Sequence, residues 1–426
     1  MIGKLGLLAL AVALLVPAAA QASPPVNQTP PSYLWWSNYR VGLHIGVDPG
    51  TWTGLPSISY QWQVSADGVS GWADETDALA QGTIREPISS DACKYLRARV
   101  TATNADGASV AYTPVTPRIQ PASGACTSCA GPSSLALTAL SDLETGSYQG
   151  FPGGLYPGGS DSPPASYAAE GLSRAALVQA LGGLGVPDPA GKIGLLSLGM
   201  SSASQEWSAF LSSWMASSLR NPAVTIVNGA QDGMTLDAIA YPTSIGYANF
   251  WNTVGSRLLS AGISGYQVQA VWLKDTIGEP ATRAGTFPAS AQLAKTYMRA
   301  VIDSAAGFFP NLQLVYVSTR IYSGYSTGIE SLSPEPWAYE DGFAAKWLIE
   351  DRIASGVGPW IAWGPYLWAN GVMPRSDGYP GTRTWACADF QADGVHPSAS
   401  GVTKVSGALG DFFTTDPTAR GWFLKP

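Results

Sequence analysis

Lys192-Ile193-Gly194-Leu195-Leu196-Ser197-Leu198 is a short apolar run, and Gly199-Met200-Ser201 follows it directly. A run this short, without polar alternation, reads as a strand buried on both faces. Onward from it the chain changes type at regular intervals. Residues 204–219 have the spacing of an amphipathic helix, 223–227 form a second strand and 247–261 a helix. A third strand at 266–273, a helix at 289–308, a strand at 312–318, a helix at 339–354 and a short strand at 360–363 complete the series. Strands alternating with helices build a parallel sheet covered on both faces, and such sheets bind ligands outside the carboxyl ends of their strands. The expected fold class is α/β, a three-layer α/β/α domain over residues 136–426.

Upstream the period is different. Ile58-Ser59-Tyr60-Gln61-Trp62-Gln63-Val64 and residues 95–103 alternate with period two, and Asn104-Ala105-Asp106-Gly107 supplies a turn. Residues 39–119 therefore read as a small all-β sandwich. A short linker rich in Pro, Ser and Thr precedes it at 23–38, and one holding Pro, Ser and Gly follows it at 120–135. Residues 1–22 read as a signal peptide: Lys4, an apolar run from Leu5 to Val16 too short to span a bilayer, and Ala20-Gln21-Ala22 as cleavage site. The mature chain is expected to be secreted or periplasmic, with no membrane span.

Composition narrows the partners. Apolar residues make up 46% of the 426 and charged residues 12%, the formal charge is −7 and the pI near 4.9. A nucleic-acid partner would call for a basic face, which this balance excludes. The four cysteines, Cys93, Cys126, Cys129 and Cys387, suit disulfides in an oxidising compartment, with the pairing open. A zinc site lacks ligands, because His44 and His396 are the only histidines. No cofactor or metal is implied.

Two motifs carry chemistry. Ser201 stands where a strand gives way to a helix, exposed and close to helical N–H groups that can stabilise an oxyanion. Asp393-Gly394-Val395-His396-Pro397 places a carboxylate three residues before the sole imidazole of the α/β domain. The acid can hold one ring N–H and fix the tautomer, leaving the other nitrogen to take a serine proton. Either motif alone is equally an ordinary loop serine or a structural histidine in a turn. Pro359-Trp360-Ile361-Ala362-Trp363-Gly364-Pro365-Tyr366-Leu367-Trp368 and Ser333-Pro334-Glu335-Pro336-Trp337 are aromatic loops. Trp360, Trp363 and Trp368 are candidates to stack on sugar rings, with core packing the other reading.

In this order the motifs resemble the SGNH family of serine ester hydrolases, also called GDSL esterases. The resemblance covers roughly residues 190–415. It implies Ser201 as nucleophile in a block reading GMS rather than GDS. It implies Gly233, in Asn228-Gly229-Ala230-Gln231-Asp232-Gly233-Met234-Thr235, as an oxyanion donor beside the Ser201 N–H, and Asp393 and His396 as acid and base. The third block departs from the family: Lys274, in Val271-Trp272-Leu273-Lys274-Asp275, falls where the family has an oxyanion-hole Asn. A lysine can donate in its place, or mark another specificity or a damaged hole. The α/β-hydrolase elbow G-x-S-x-G fits less well, because Ala203 holds the last position and its acid normally lies well before its histidine. The β segments SYQWQVS and YLRARVTATNADG resemble bacterial immunoglobulin-like modules, with Trp62 in the core. The expected function is hydrolysis of short acyl esters, such as acetyl groups on polysaccharide. The competing class is a non-catalytic carbohydrate-binding or surface protein that keeps the fold.

Overall fold

The structure is a computed structural model that describes residues 23–34, 37–66, 68–122, 133, 135–326 and 334–425. The signal-peptide residues, Cys126, Cys129 and Ser333 lie outside them. Cys93 and Cys387 are not free thiols, and the pairing stays an expectation. The chain divides into two compact units at Ala122–Ser123.

The first unit is all β. Strands β1 (Ile45–Asp48), β2 (Ser57–Ser65), β3 (Tyr95–Asn104) and β4 (Gly107–Tyr112) are its main elements. β2, β3 and β4 run antiparallel in a four-stranded sheet that Ala73–Asp74 completes, and β1 lies at the centre of a three-stranded one. Leu96, Ala98, Val100 and Ala102 are all buried, the period-two stripe that its sequence predicts. Leu96, Ala98 and Val100 pack with Trp62 of β2 and with Ile45 and Val47 of β1, so both sheets contribute to one core. The Trp62 indole N–H donates to the Gly82 carbonyl at 3.0 Å, which satisfies its polar atom. Arg85 is fully buried and offsets that cost by pairing with Asp77 and Asp91 at 2.5 and 2.7 Å.

The second unit is built on five parallel strands: β5 (Ile193–Gly199), β6 (Val224–Asn228), β7 (Val268–Lys274), β8 (Leu314–Val317) and β9 (Trp360–Trp363). Their order is β6-β5-β7-β8-β9. Every residue of β5 and β7 is buried, so both faces of the sheet are covered at its centre. The covering elements are the helices α1 (Ala165–Ala175), α2 (Ser201–Met215), α3 (Tyr247–Ser260), α4 (Ala289–Phe308), α5 (Trp337–Ser355) and α6 (Ala399–Thr415). α2 packs on α6, and α4 on α5. The chain turns to β6 on one side of β5 and then crosses back to β7 on the other, so strand order reverses at the carboxyl end of β5. Open α/β sheets place a ligand crevice at such a reversal.

The tryptophans of the PWIAWGPYLW stretch form core. Trp360, Trp363 and Trp368 are 3%, 5% and 0% exposed. Their indole N–H groups donate to the Tyr167 carbonyl (3.0 Å), the Leu155 carbonyl (2.6 Å) and the Glu335 carboxylate (2.8 Å). Rings this deeply buried, with their N–H groups engaged, present no open face for a sugar to stack on, which corrects the sugar-stacking assignment of these three residues.

Candidate active site

β5 ends on Gly199, and the backbone there requires glycine: φ is +148°, and a Cβ would stand 2.1 Å from the Lys274 carbonyl oxygen of the neighbouring strand. The chain then enters α2 directly. The helix begins at Ser201, three residues earlier than its apolar spacing suggests, with Met200 as N-cap and no side-chain cap. Ser201 is therefore in the first helical turn, where backbone N–H groups have no partner within the helix and the dipole is positive.

The imidazole comes from a tight turn before α6. The Gln391 N–H donates to the His396 carbonyl at 2.8 Å, and Phe390 pairs with Pro397. Gly394 has φ +69°, and a Cβ on it would stand 1.8 Å from the Tyr325 carbonyl oxygen, so the turn lies hard against that backbone. Within it Asp393 Oδ1 accepts the N–H groups of Val395 and His396, both at 2.9 Å. Asp393 Oδ2 lies 2.6 Å from His396 Nδ1, and His396 Nε2 lies 2.7 Å from Ser201 Oγ. Burial pushes the Asp393 carboxyl up, but the His396 hydrogen bond and charge and the two backbone donors outweigh it and hold it below the usual carboxylate range. An ionised Asp393 makes Nδ1 the donor, so Nε2 is the acceptor facing the serine hydroxyl. Ser201, His396 and Gly233 line one cleft of about 560 Å³, together with Gln205, Gln391 and Arg283.

Lys274 is elsewhere, and its assignment to the oxyanion hole is corrected. Its side chain is 1% exposed, and Nζ lies 2.7 Å from both carboxylate oxygens of Glu206 and 3.3 Å from Ser202 Oγ. All three ammonium donors are thereby engaged under α2. Burial pulls the Lys274 ammonium down and pushes the Glu206 carboxyl up, each opposed by the other's charge. Glu206 itself escaped the sequence reading. The available signal was its place on the apolar stripe of α2, between Ala203 and Trp207 on one side and Phe210 on the other, where an acid needs a cation.

Further buried acids surround the end of β7. Asp275 and Asp341 are both buried, and desolvation raises the first well above the carboxylate range and the second to about 7. Asp341 thus binds its proton more tightly folded than unfolded. Its contribution to stability is full below about pH 4 and is lost as pH rises through about 7. Asp341→Asn, which keeps the neutral shape, is expected to narrow the drop in melting temperature between about pH 5 and about pH 8. Melts of both proteins at the two pH values check this.

No family model matches the chain, and no curated protein matches it. Among solved structures it is similar to a Parabacteroides merdae protein provisionally described as a GDSL-like lipase, at 13% identity and TM-score 0.30 over 54% of this chain and 96% of that one. A Ruminococcus gnavus β-glucuronidase aligns at 8% identity and TM-score 0.18, over 84% of this chain and 57% of that one. Likenesses this slight carry no weight beside the geometry. Fold and site define a mixed α/β unit with a hydrogen-bonded Ser–His–Asp chain at the carboxyl end of its parallel sheet.

Proposed function

We propose that the chain is a secreted serine ester hydrolase of the SGNH type, acting on short acyl esters such as acetyl groups on polysaccharide. The observation that carries this is the unbroken run Ser201 Oγ–His396–Asp393, at 2.7 and 2.6 Å, in the cleft at the strand ends. In the proposed reaction His396 Nε2 takes the Ser201 proton as Oγ attacks the ester carbonyl carbon. The negative charge on the carbonyl oxygen is held by the backbone N–H groups of Ser201 and Gly233. The intermediate collapses, the bond to the leaving oxygen breaks, and His396 returns its proton to the departing alcohol. Water, deprotonated by the same imidazole, then attacks the acyl carbon, the bond to Ser201 Oγ breaks, and His396 returns the proton to Oγ as the acid leaves. Asp393 orients the ring and stabilises the imidazolium throughout.

Among the described residues, Met200 is the one large apolar side chain lining the cleft, which favours a short acyl group. Residues 1–22 would direct export, and the first unit would be an immunoglobulin-like spacer or adhesion module. Among the described residues no helix is long and apolar enough to cross a membrane. A series of p-nitrophenyl esters and acetylated xylan, run beside Ser201→Ala, tests the reading. Turnover that falls with acyl length and vanishes in the variant is expected. Equal turnover by the variant removes Ser201 as nucleophile, and no turnover by either protein favours a surface protein without catalysis.

A further inference from the structure

Two glutamines beside the imidazole have no part in the proposed chemistry. Gln205 lies one helical turn beyond Ser201 on α2, so the two side chains share a face. Gln391 is held beside His396 by the backbone hydrogen bond that closes the turn. Both line the cleft. Their carboxamides meet: Gln391 Nε2 donates to Gln205 Oε1 at 3.2 Å and to the Pro397 carbonyl at 3.0 Å. The orientation of both groups follows from the second bond. A backbone carbonyl accepts only, so the Gln391 atom facing it must be nitrogen, and the Gln205 atom facing that nitrogen must be oxygen. Gln205 Nε2 is then left with both of its N–H groups and no protein partner among the described residues.

The position of this pair identifies what it would touch. His396 Nε2 must reach Ser201 Oγ in one step and the departing alcohol oxygen in the next, so groups next to the imidazole face the alcohol and not the acyl group. The proposed oxyanion donor Gly233 belongs to the loop after β6, a different wall of the cleft. We infer that Gln205, aligned by Gln391, forms the leaving-group subsite and that its free amide N–H groups bind a hydroxyl of a polyhydroxylated, uncharged alcohol such as a sugar ring. This inference rests on the esterase reading above. Neutral amide N–H donors match the hydroxyl oxygens of a sugar ring, which p-nitrophenol lacks.

The test is a ratio measured on the full chain: kcat/KM for an acetylated xylo-oligosaccharide divided by kcat/KM for p-nitrophenyl acetate. In Gln205→Leu the ratio is expected to fall at least about fivefold, the discrimination that one neutral hydrogen bond supplies. Gln391→Leu, at a largely exposed position, removes the group that orients Gln205 and is expected to move the ratio in the same direction. Dividing by the aryl acetate cancels loss of folded enzyme or of general catalysis. A ratio that falls less than about fivefold in Gln205→Leu overturns the subsite, and if that variant does not fold, the same limit on Gln391→Leu decides. Aryl acetate turnover by the unaltered chain that does not depend on Ser201 overturns the esterase reading instead.

Discussion

Ser201→Ala is expected to lower kcat on p-nitrophenyl acetate by about 10⁴- to 10⁶-fold, and Asp393→Asn by about 10⁴-fold. The first removes the atom that forms the acyl bond, so only the oxyanion donors and binding remain. The second acts through His396. Asp393 Oδ2 is 2.6 Å from Nδ1 and keeps the proton on that nitrogen. An asparagine there can present an N–H instead, which turns the ring to the tautomer whose Nε2 carries a proton and cannot accept one from serine. The two losses should not add in Ser201→Ala/Asp393→Asn, because the three side chains act as a unit. Single-turnover and steady-state kinetics on the three variants check this. A double variant slower than Ser201→Ala by a further large factor would contradict a shared pathway.

The largest expected effect on stability comes from the pair beneath the nucleophile. Lys274→Met leaves the Glu206 carboxylate fully buried and without its cation, and is expected to cost about 3–5 kcal/mol. For a unit of this size that lowers the melting temperature by on the order of 10 °C. Lys274→Met/Glu206→Leu removes both charges together and is expected to recover most of the loss, since a buried pair replaced by apolar groups of similar volume is commonly neutral. Thermal melts of the single and double variants check it. Lys274 lies at the end of β7 in register with Gly199, and Glu206 lies on the helix that Ser201 begins. The pair therefore ties the nucleophile's helix to the central strand. If the double variant melts as low as the single one, the ammonium has a role that Glu206 does not explain.

What could be read from the sequence depended on range. The period-two stripe of residues 96–102 and the apolar runs that became β5 to β9 are local patterns, and local patterns survive folding. Asp393 and His396 meet within a four-residue turn, so their spacing alone suggests the contact. Ser201 and His396 are 195 positions apart, and only the order of strands and helices hinted that they converge. Lys274 and the tryptophans misled for the opposite reason. Residue type suggests what a side chain can do when exposed, while burial decides whether it can do it. Lys274 looked like a donor to substrate until Glu206, 68 positions away, engaged it. Trp360 and Trp363 belong to a strand buried on both faces, which their dense apolar setting in WIAW already suggested. The glutamine pair was invisible, because residues 205 and 391 share no pattern and come together only through the turn that also holds His396.

If Ser201 is a nucleophile activated by His396, both its reactivity and the dependence of that reactivity on the imidazole can be measured. Reaction of the folded chain with a fluorophosphonate, followed by peptide mass mapping, tests this most directly. One adduct is expected, on Ser201, formed at a rate that falls by orders of magnitude in His396→Ala. Absence of label on Ser201, or labelling of the same serine at an unchanged rate in His396→Ala, would contradict it.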